Sequence, residues 1–429
     1  MIRKAMEVGG DRGKVPTMDD VATRSTCRSC GGDLSDVVDM GEQWVVDFVD
    51  APGHTTRPKA PLILCRCRRC TLVQLRHTVH PSFLYDTFWY RSGINELMRA
   101  ALADVTRAAT ERVGLTAGDA VLDIGCNDGT LLASYGVQGL VRVGFDQSLA
   151  ILAEAEGRAE VLVPAYFEAS KALAVRDAYR AITAIAMFYD LEHPHDFLAQ
   201  VARCLAPDGV FIIQMNYLPA MLEENAFDNV CHEHLCYYSL STLSPILSTH
   251  GLVATDVEEN TVNGGSFRIY IQHEAARRPA SPQVAAMLAR EQRVNPEAPD
   301  ALEAFAARVG RIRELLRNEI ERAARPIFLY GASTRGSTLV QTLAPPPDTF
   351  AGAAERDPRK YGRHTVGTWI PIVPEEEARG RARTFLVLPW HFWSGIRERE
   401  RTWIDNGGTF VLPLPWPRRV RRDGEVVLE

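Results

Sequence analysis

The chain is short of the features that mark several protein classes. No apolar run approaches the roughly 20 residues of a membrane span, which excludes a helical membrane protein. Basic charge is not in excess. Lys and Arg number 48 against 54 Asp and Glu, a net charge of −6, so no bulk field draws the chain to nucleic acid or an anionic membrane. The opening MIRKAMEVGGDRGKVPTMDD has no apolar core of the kind a secretory signal needs. Residues 1–22 are therefore expected to be a disordered leader, and the protein cytoplasmic. The main glycine turn lacks both the G-x-G-x-x-G of dinucleotide loops and the G-K-[ST] of phosphate loops.

What is there is an ordinary globular composition, 46% hydrophobic and 24% charged over 429 residues. On a prior of roughly 100–200 residues per domain this gives two to four domains. Nine cysteines in a reducing compartment are metal ligands or buried thiols rather than disulfides. Five of them fall in a head expected over residues 23–80. There Cys27 and Cys30 form one C-x-x-C knuckle, and CRCRRC supplies Cys65, Cys67 and Cys70. Two knuckles offer the four soft thiolates of a tetrahedral zinc site. The natural set is Cys27, Cys30, Cys67 and Cys70, with Cys65 competing for the place of Cys67. Four protein ligands leave no open position, so the zinc is structural. The aromatic run PSFLYDTFWY that follows, with Tyr85 and Tyr90, is a packing anchor or the lining of a substrate cleft.

A methyltransferase-like unit is expected over residues 81–273. AVLDIGCNDGTL (Ala120 to Leu131) reads as strand, tight turn, helix start, with backbone N–H groups left for a ligand and no Cβ at Gly125 or Gly129. The D-x-G-x-N-x-G pattern, with Asp123 and Asn127, resembles the first motif of class I methyltransferases, which implies S-adenosylmethionine. A second strand, VRVGFD, ends in Asp146, about 20 residues beyond the glycines, where an acid meets a ribose hydroxyl. Phe167 follows the next strand where an adenine ring can rest. Met187 and Phe188, at the end of AITAIAMF, are further candidates for the cofactor wall. A turn is expected at Pro207 to Gly209 before the strand VFIIQMNY. Strands and helices in this alternation build a doubly wound α/β sheet with ligands at the strands' carboxyl ends.

FDNVCHEHLCYY (Phe227 to Tyr238) is the second chemical segment. H-E-H at alternating positions is not the helical H-E-x-x-H metal pattern. A base, His234, whose pKa and tautomer are held by Glu233, fits better. His232, Tyr90 and Asn216 are candidate donors to an enolate oxygen. Glu274 to Arg325 has helical periodicity and reads as a connector. Residues 326–429 open with PIFLYGASTRGSTLV, a second strand–glycine–helix unit. Its helix N-terminus, with Ser333, Thr334 and Arg335, has the groups a diphosphate needs.

Taken together, from about Thr23 onward, the chain resembles the sugar C-methyltransferases of antibiotic deoxysugar pathways. That resemblance implies a zinc-binding head, a class I methyltransferase domain and a C-terminal Rossmann-like domain. It implies methylation of the carbon beside the ketone of a nucleotide-linked 4-keto-6-deoxysugar, with the base on Glu233 and His234. The family's tyrosine two residues before the Glu is here Cys231, and its tyrosine ahead of a Ser-Gly stretch matches Tyr90. The partner is then a nucleotide-linked sugar or related small molecule, the enzyme a monomer. Three other readings remain at this point: O- or N-methylation, an NAD(P)-dependent oxidoreductase using the Gly331 turn, and a zinc-ribbon binding module on an idle scaffold.

Overall fold

The computed structural model describes residues 20–85, 89–276 and 278–429. The expected leader up to residue 19 and Asp86 to Phe88 of the aromatic run lie outside the described residues. The head is an antiparallel sheet of Leu34–Trp44, Lys59–Cys67 and Val73–Leu75. Its fourth strand, Cys236–Tyr237, comes from the far side of the chain and pairs with Val73–Leu75.

The central sheet has seven strands: β1 (Ala120–Ile124), β2 (Val141–Asp146), β3 (Val161–Pro164), β4 (Tyr179–Ile185), β5 (Leu205–Asn216), β6 (Leu252–Asn260) and β7 (Ser266–His273). Their spatial order is β6-β7-β5-β4-β1-β2-β3. The five strands from β1 to β5 run parallel, while β7 is antiparallel to both β5 and β6. All five residues of β1 are buried, as a strand covered on both faces requires. The helix before it, α1 (Glu96–Val113), starts where Asn95 accepts from the Leu97 N–H at 3.0 Å and stops at left-handed Gly114.

The turn expected at Pro207 to Gly209 is instead part of β5. Register with β4 jumps from Tyr179↔Leu205 to Ala181↔Val210, so the segment bulges out of the ladder without leaving it. A Cβ on Gly209 would sit 3.0 Å from the carbonyls of Tyr179 and Arg180, a crowding that glycine avoids.

Two helices, α2 (Pro282–Val294) and α3 (Pro299–Arg322), lead to the second seven-stranded sheet. Its strands are β8 (Ile327–Tyr330), β9 (Gly352–Glu355), β10 (Ile372–Pro374), β11 (Thr384–Val387), β12 (Thr409–Leu412), β13 (Arg418–Arg421) and β14 (Gly424–Val427), in the order β10-β9-β8-β11-β12-β13-β14. The first five are parallel, and β13 and β14 close the edge antiparallel. The head touches both halves. Besides the shared strand at Cys236–Tyr237, its Phe48–Val49 pairs with His364–Thr365, and Gln43 donates to Thr342 Oγ1 at 2.8 Å. Among the described residues no helix is long and apolar enough to cross a membrane.

Candidate active site

The first glycine turn follows β1 directly. Gly125 (φ +73°), Asn127 (φ +51°) and Gly129 (φ +73°) are all left-handed, and this tight path exposes Gly125 while burying its neighbours. The Asp146 carboxylate, at the end of β2, accepts from Asn127 N at 3.1 Å and Ser148 N at 2.9 Å. It carries no ion pair among the described residues, and burial raises its pKa against those two hydrogen bonds. Asp123 is buried and accepts from Thr183 Oγ1 at 2.6 Å. Burial, opposed by that hydrogen bond and assisted by the charge of Asp146, pushes it up to about 7.

A clasp crosses the turn. Asn127 donates to Tyr90 O and accepts from Ser92 N, and Asp128 accepts from Gly93 N at 2.9 Å. Tyr90 thus lies over the cofactor turn. Phe167 is half-buried, edge-on to Phe145 and Phe197, and Met187 lies against Gly125. Phe188 has no accessible surface and packs on Phe197 and Tyr238. It stands behind the pocket wall, a correction to its expected place in the wall, because an enclosed ring has no face to offer a cofactor.

The second cluster forms where the turn after β4 meets the 227–238 loop. The Tyr189 ring rests on His234, centroids 4.3 Å apart. His234 Nδ1 bonds the Asn229 carbonyl at 2.9 Å. A carbonyl only accepts, so Nδ1 carries the proton and Nε2 keeps its lone pair. The expectation that Glu233 orients this ring and raises its pKa is therefore corrected. Asn229 sets the tautomer, while burial and then the Arg335 charge lower the pKa to about 3. His232 is also corrected. It is buried on the head side, its Nε2 3.2 Å from Ala60 O, and burial lowers it to about 4, so it braces the head rather than facing an enolate. Asn216 Nδ2 donates to Asn229 Oδ1 at 2.8 Å, and its own Oδ1 is buried with no partner.

Glu233 is buried, and burial raises its pKa against hydrogen bonds from its own backbone, Cys231 and Thr334. Asp190, which ends the short turn Phe188–Asp190 after β4, was not singled out from the sequence. Burial and then the charge of Glu233 raise its pKa, against a hydrogen bond from Tyr85. The signal was available: a carboxylate in Y-D just after a buried strand stands at the ligand end of a parallel sheet.

The second glycine turn is built differently. Ser333 caps helix α4 (Thr334–Leu343), accepting from Gly336 N at 3.1 Å, and Thr334 reaches Glu233. Arg335 is corrected as a diphosphate ligand. Its guanidinium holds Asp228 Oδ2 at 2.8 Å and Asn263 O at 2.6 Å, and Trp390 Nε1 donates to the same Asp228 oxygen at 3.0 Å. Those three contacts brace the second half against the first.

In the head, the sulfurs of Cys27, Cys30, Cys67 and Cys70 all lie within 4.8 Å of one another. The Cys27–Cys70 and Cys30–Cys67 separations are 3.6 and 3.4 Å, near the roughly 3.8 Å edge of a zinc–thiolate tetrahedron with bonds of about 2.3 Å. Backbone N–H groups of Ser29, Gly32, Arg69 and Cys70 point at these sulfurs. A Cβ on Gly32 would press on Cys67 and Cys30 Sγ at 3.2 and 3.3 Å. Cys65 drops out of the competition. It is buried in the sheet, where its thiol donates to Gln74 O at 3.2 Å and burial pushes it up to about 12.

Three family models match in series. "Putative zinc binding domain" spans residues 27–85, "Methyltransferase domain" residues 94–257 and "C-methyltransferase C-terminal domain" residues 261–415. The chain is 32% identical to C-methyltransferase NovU of Streptomyces niveus over 405 residues, 91% of this chain and 96% of that protein. This chain belongs to the C-methyltransferase family. S-adenosylmethionine is its methyl donor and the four-cysteine site its zinc site. Sphingolipid C9-methyltransferase A of Emericella nidulans is 32% identical over 161 residues, 31% of this chain and 29% of that one. Among solved structures, mitomycin 7-O-methyltransferase MmcR is similar at 16% identity, covering 41% of this chain and 54% of that chain with a TM-score of 0.34.

Proposed function

We propose that this C-methyltransferase methylates the carbon beside the ketone of a nucleotide-linked deoxysugar, through an enolate. The carrying observation is that the cofactor turn and a buried histidine loop are both reached by the short segment that follows β4. Gly125 lies against Met187, and two residues later the Tyr189 ring rests on His234, centroids 4.3 Å apart. Carbon methylation needs a basic group beside the cofactor, since a ketone's α-hydrogen must be removed and its proton held in a water-poor site. Bound S-adenosylmethionine supplies an electrophilic methyl on sulfur.

In this reading Asp146 holds the ribose hydroxyls, Asp123 and Asn127 steady the turn, and Phe167 and Met187 flank the adenine and sulfur ends. Tyr90 and Asn216 donate to the substrate's oxygens, and Tyr85, Ser333 and Thr334 border its entry. Methylation of oxygen or nitrogen would need only a heteroatom deprotonated, and no carbon acid. The discriminating measurement is deuterium washout from the α-carbon of a nucleotide-linked 4-keto-6-deoxysugar, with S-adenosylhomocysteine bound. Exchange supports the reading; S-adenosylhomocysteine binding by calorimetry without exchange would sink it.

A further inference from the structure

The two middle residues of the first zinc knuckle each bond a residue of the methyltransferase half. Between Cys27 and Cys30 stand Arg28 and Ser29. The Arg28 side chain is fully buried, and its Nε donates to Glu192 Oε2 at 2.9 Å. Its Nη2 donates to Thr78 Oγ1 at 2.7 Å, and that hydroxyl donates to the same Glu192 oxygen at 2.8 Å. Arg24 takes the other oxygen, Glu192 Oε1. Arg28 is itself fixed from the head: its Nη1 donates to Leu75 O at 2.5 Å and its backbone N–H to Gln74 Oε1 at 3.0 Å. A guanidinium presents its donors in one rigid fork, so fixing it fixes the carboxylate it holds. Beside this, Ser29 Oγ lies 3.3 Å from His195 Nε2, in the first turn of the helix Pro194–Cys204.

Glu192 closes the short segment whose other contacts line the site. The segment leaves β4 through Ala186, at φ +53°, whose N–H donates to Gln214 O at 2.8 Å. Met187 then lies against Gly125 of the cofactor turn, and the Tyr189 ring rests on His234. Two turn bonds hold the backbone between them, Asp190 N to Met187 O at 3.0 Å and Leu191 N to Phe188 O at 3.4 Å. A left-handed alanine persists only where its surroundings over-determine the path. Phe188 pins the middle of this path in the core, and Glu192 pins its end to the knuckle.

We infer that Arg28 and Glu192 are positioning residues for methyl transfer. The metal fixes the knuckle, the knuckle fixes segment 186–192, and the segment sets Met187 against the cofactor turn and Tyr189 against His234. Zinc is thereby coupled to the cofactor as well as serving the head. The inference rests on the first glycine turn being the cofactor turn and is independent of the acceptor. Coupling between two sites is reciprocal: a metal that favours the cofactor's arrangement is held more tightly, by the same factor, once the cofactor is bound.

The test uses the full zinc-loaded chain and needs no methyl acceptor. Glu192→Gln keeps the shape of the side chain, removes its charge and touches no sulfur. Metal analysis should find its zinc complement intact, while calorimetry should show S-adenosylhomocysteine affinity down about tenfold, within the usual range of coupling between sites. Gln43→Ala releases the head from Thr342 in the second half and should leave that affinity unchanged; an equal loss there would mean general loosening and overturn the inference. Competition with a chelator reads the reverse direction. Saturating S-adenosylhomocysteine should tighten zinc about tenfold in the parent chain and leave it unmoved in Glu192→Gln. If Glu192→Gln does not fold, Thr78→Val carries the same test. It removes the hydroxyl that bridges Arg28 and Glu192, and should weaken S-adenosylhomocysteine about threefold, the worth of one hydrogen bond. Parent affinity in these variants, or zinc binding blind to S-adenosylhomocysteine, would overturn the coupling. Asp146→Ala tells the two failures apart. If it too left S-adenosylhomocysteine unaffected, the cofactor-turn reading would fall and the inference with it; if it alone weakened the ligand, only the anchor would fall.

Discussion

The molecule carries two strand–glycine–helix turns on two seven-stranded sheets, and they have been put to different uses. In both, an acid at the end of the second strand accepts from a backbone N–H in the first turn: Asp146 from Asn127, Glu355 from Ala332 at 3.2 Å. The difference is the third partner. Asp146 accepts hydrogen bonds from backbone N–H groups only, with the Arg91 charge acting on it but no ion pair formed among the described residues. Glu355 is paired with Lys360 Nζ at 3.1 Å, and that ammonium also caps Ala332 O at 2.7 Å. Gly331 (φ +91°) lies under Pro389, and a Cβ on Gly336 would strike Leu388 at 2.7 Å. The second turn is closed by the protein's own atoms. Its surviving work is to brace the halves through Arg335. The match to the C-methyltransferase family along the chain sets the oxidoreductase alternative aside.

The head decides whether the comparison exists at all, because it holds both halves. Removing zinc is expected to have the largest effect, since structural zinc contributes on the order of 10 kcal/mol or more to small metal-bound folds. Cys67→Ser should abolish stoichiometric zinc, and Cys65→Ser should leave it intact, as read by metal analysis of purified protein. Next, Lys360→Met leaves the half-buried Glu355 without its counter-ion, with only the N–H groups of Ala332, Arg356 and Asp357 to hold it. Chemical denaturation should show a loss of about 3 kcal/mol with S-adenosylhomocysteine affinity unchanged. Asp146→Ala should do the opposite, weakening S-adenosylhomocysteine by about 100-fold, the worth of a charged hydrogen-bond pair, with stability little altered. If Glu355→Gln weakened that ligand as much, the two turns would be equivalent and the distinction gone.

The smallest effect concerns pH. His232 is held at about 4 in the folded chain against about 6.5 unfolded. The unfolded state therefore binds a proton first as pH falls, and stability declines from about pH 6.5 down to about 4. His232→Gln, which can still donate to Ala60 O, should remove roughly 2 kcal/mol of the decline between pH 7.5 and pH 5.

What could be read from the residues alone follows the range of the interaction. The first turn is a local feature: an apolar strand, two glycines and a strand-end acid all fall within one short stretch, so its place could be foreseen. Cys65 and Cys67 stand on the same face of one strand, and only the partner at Gln74 O separates the buried thiol from the ligand. Arg335 beside hydroxyls on a helix start looks the same whether it waits for a phosphate or grips Asp228. The Tyr189–His234 contact is furthest from view, because it exists only where two separate segments pack, and nothing in either segment names the other.

The strand Cys236–Tyr237 carries a practical consequence. It completes the head's sheet, and Leu75 N donates to Leu235 O at 2.8 Å right beside His234. Gln74, its register partner, donates from Nε2 to Cys27 Sγ at 3.1 Å. The head therefore cannot be excised at the boundary its cysteines suggest: a fragment ending near residue 80 would lack an edge strand, and the remainder would expose one. Anyone shuffling such enzymes by exchanging heads is exchanging, along with the metal, the backrest of the 227–238 loop.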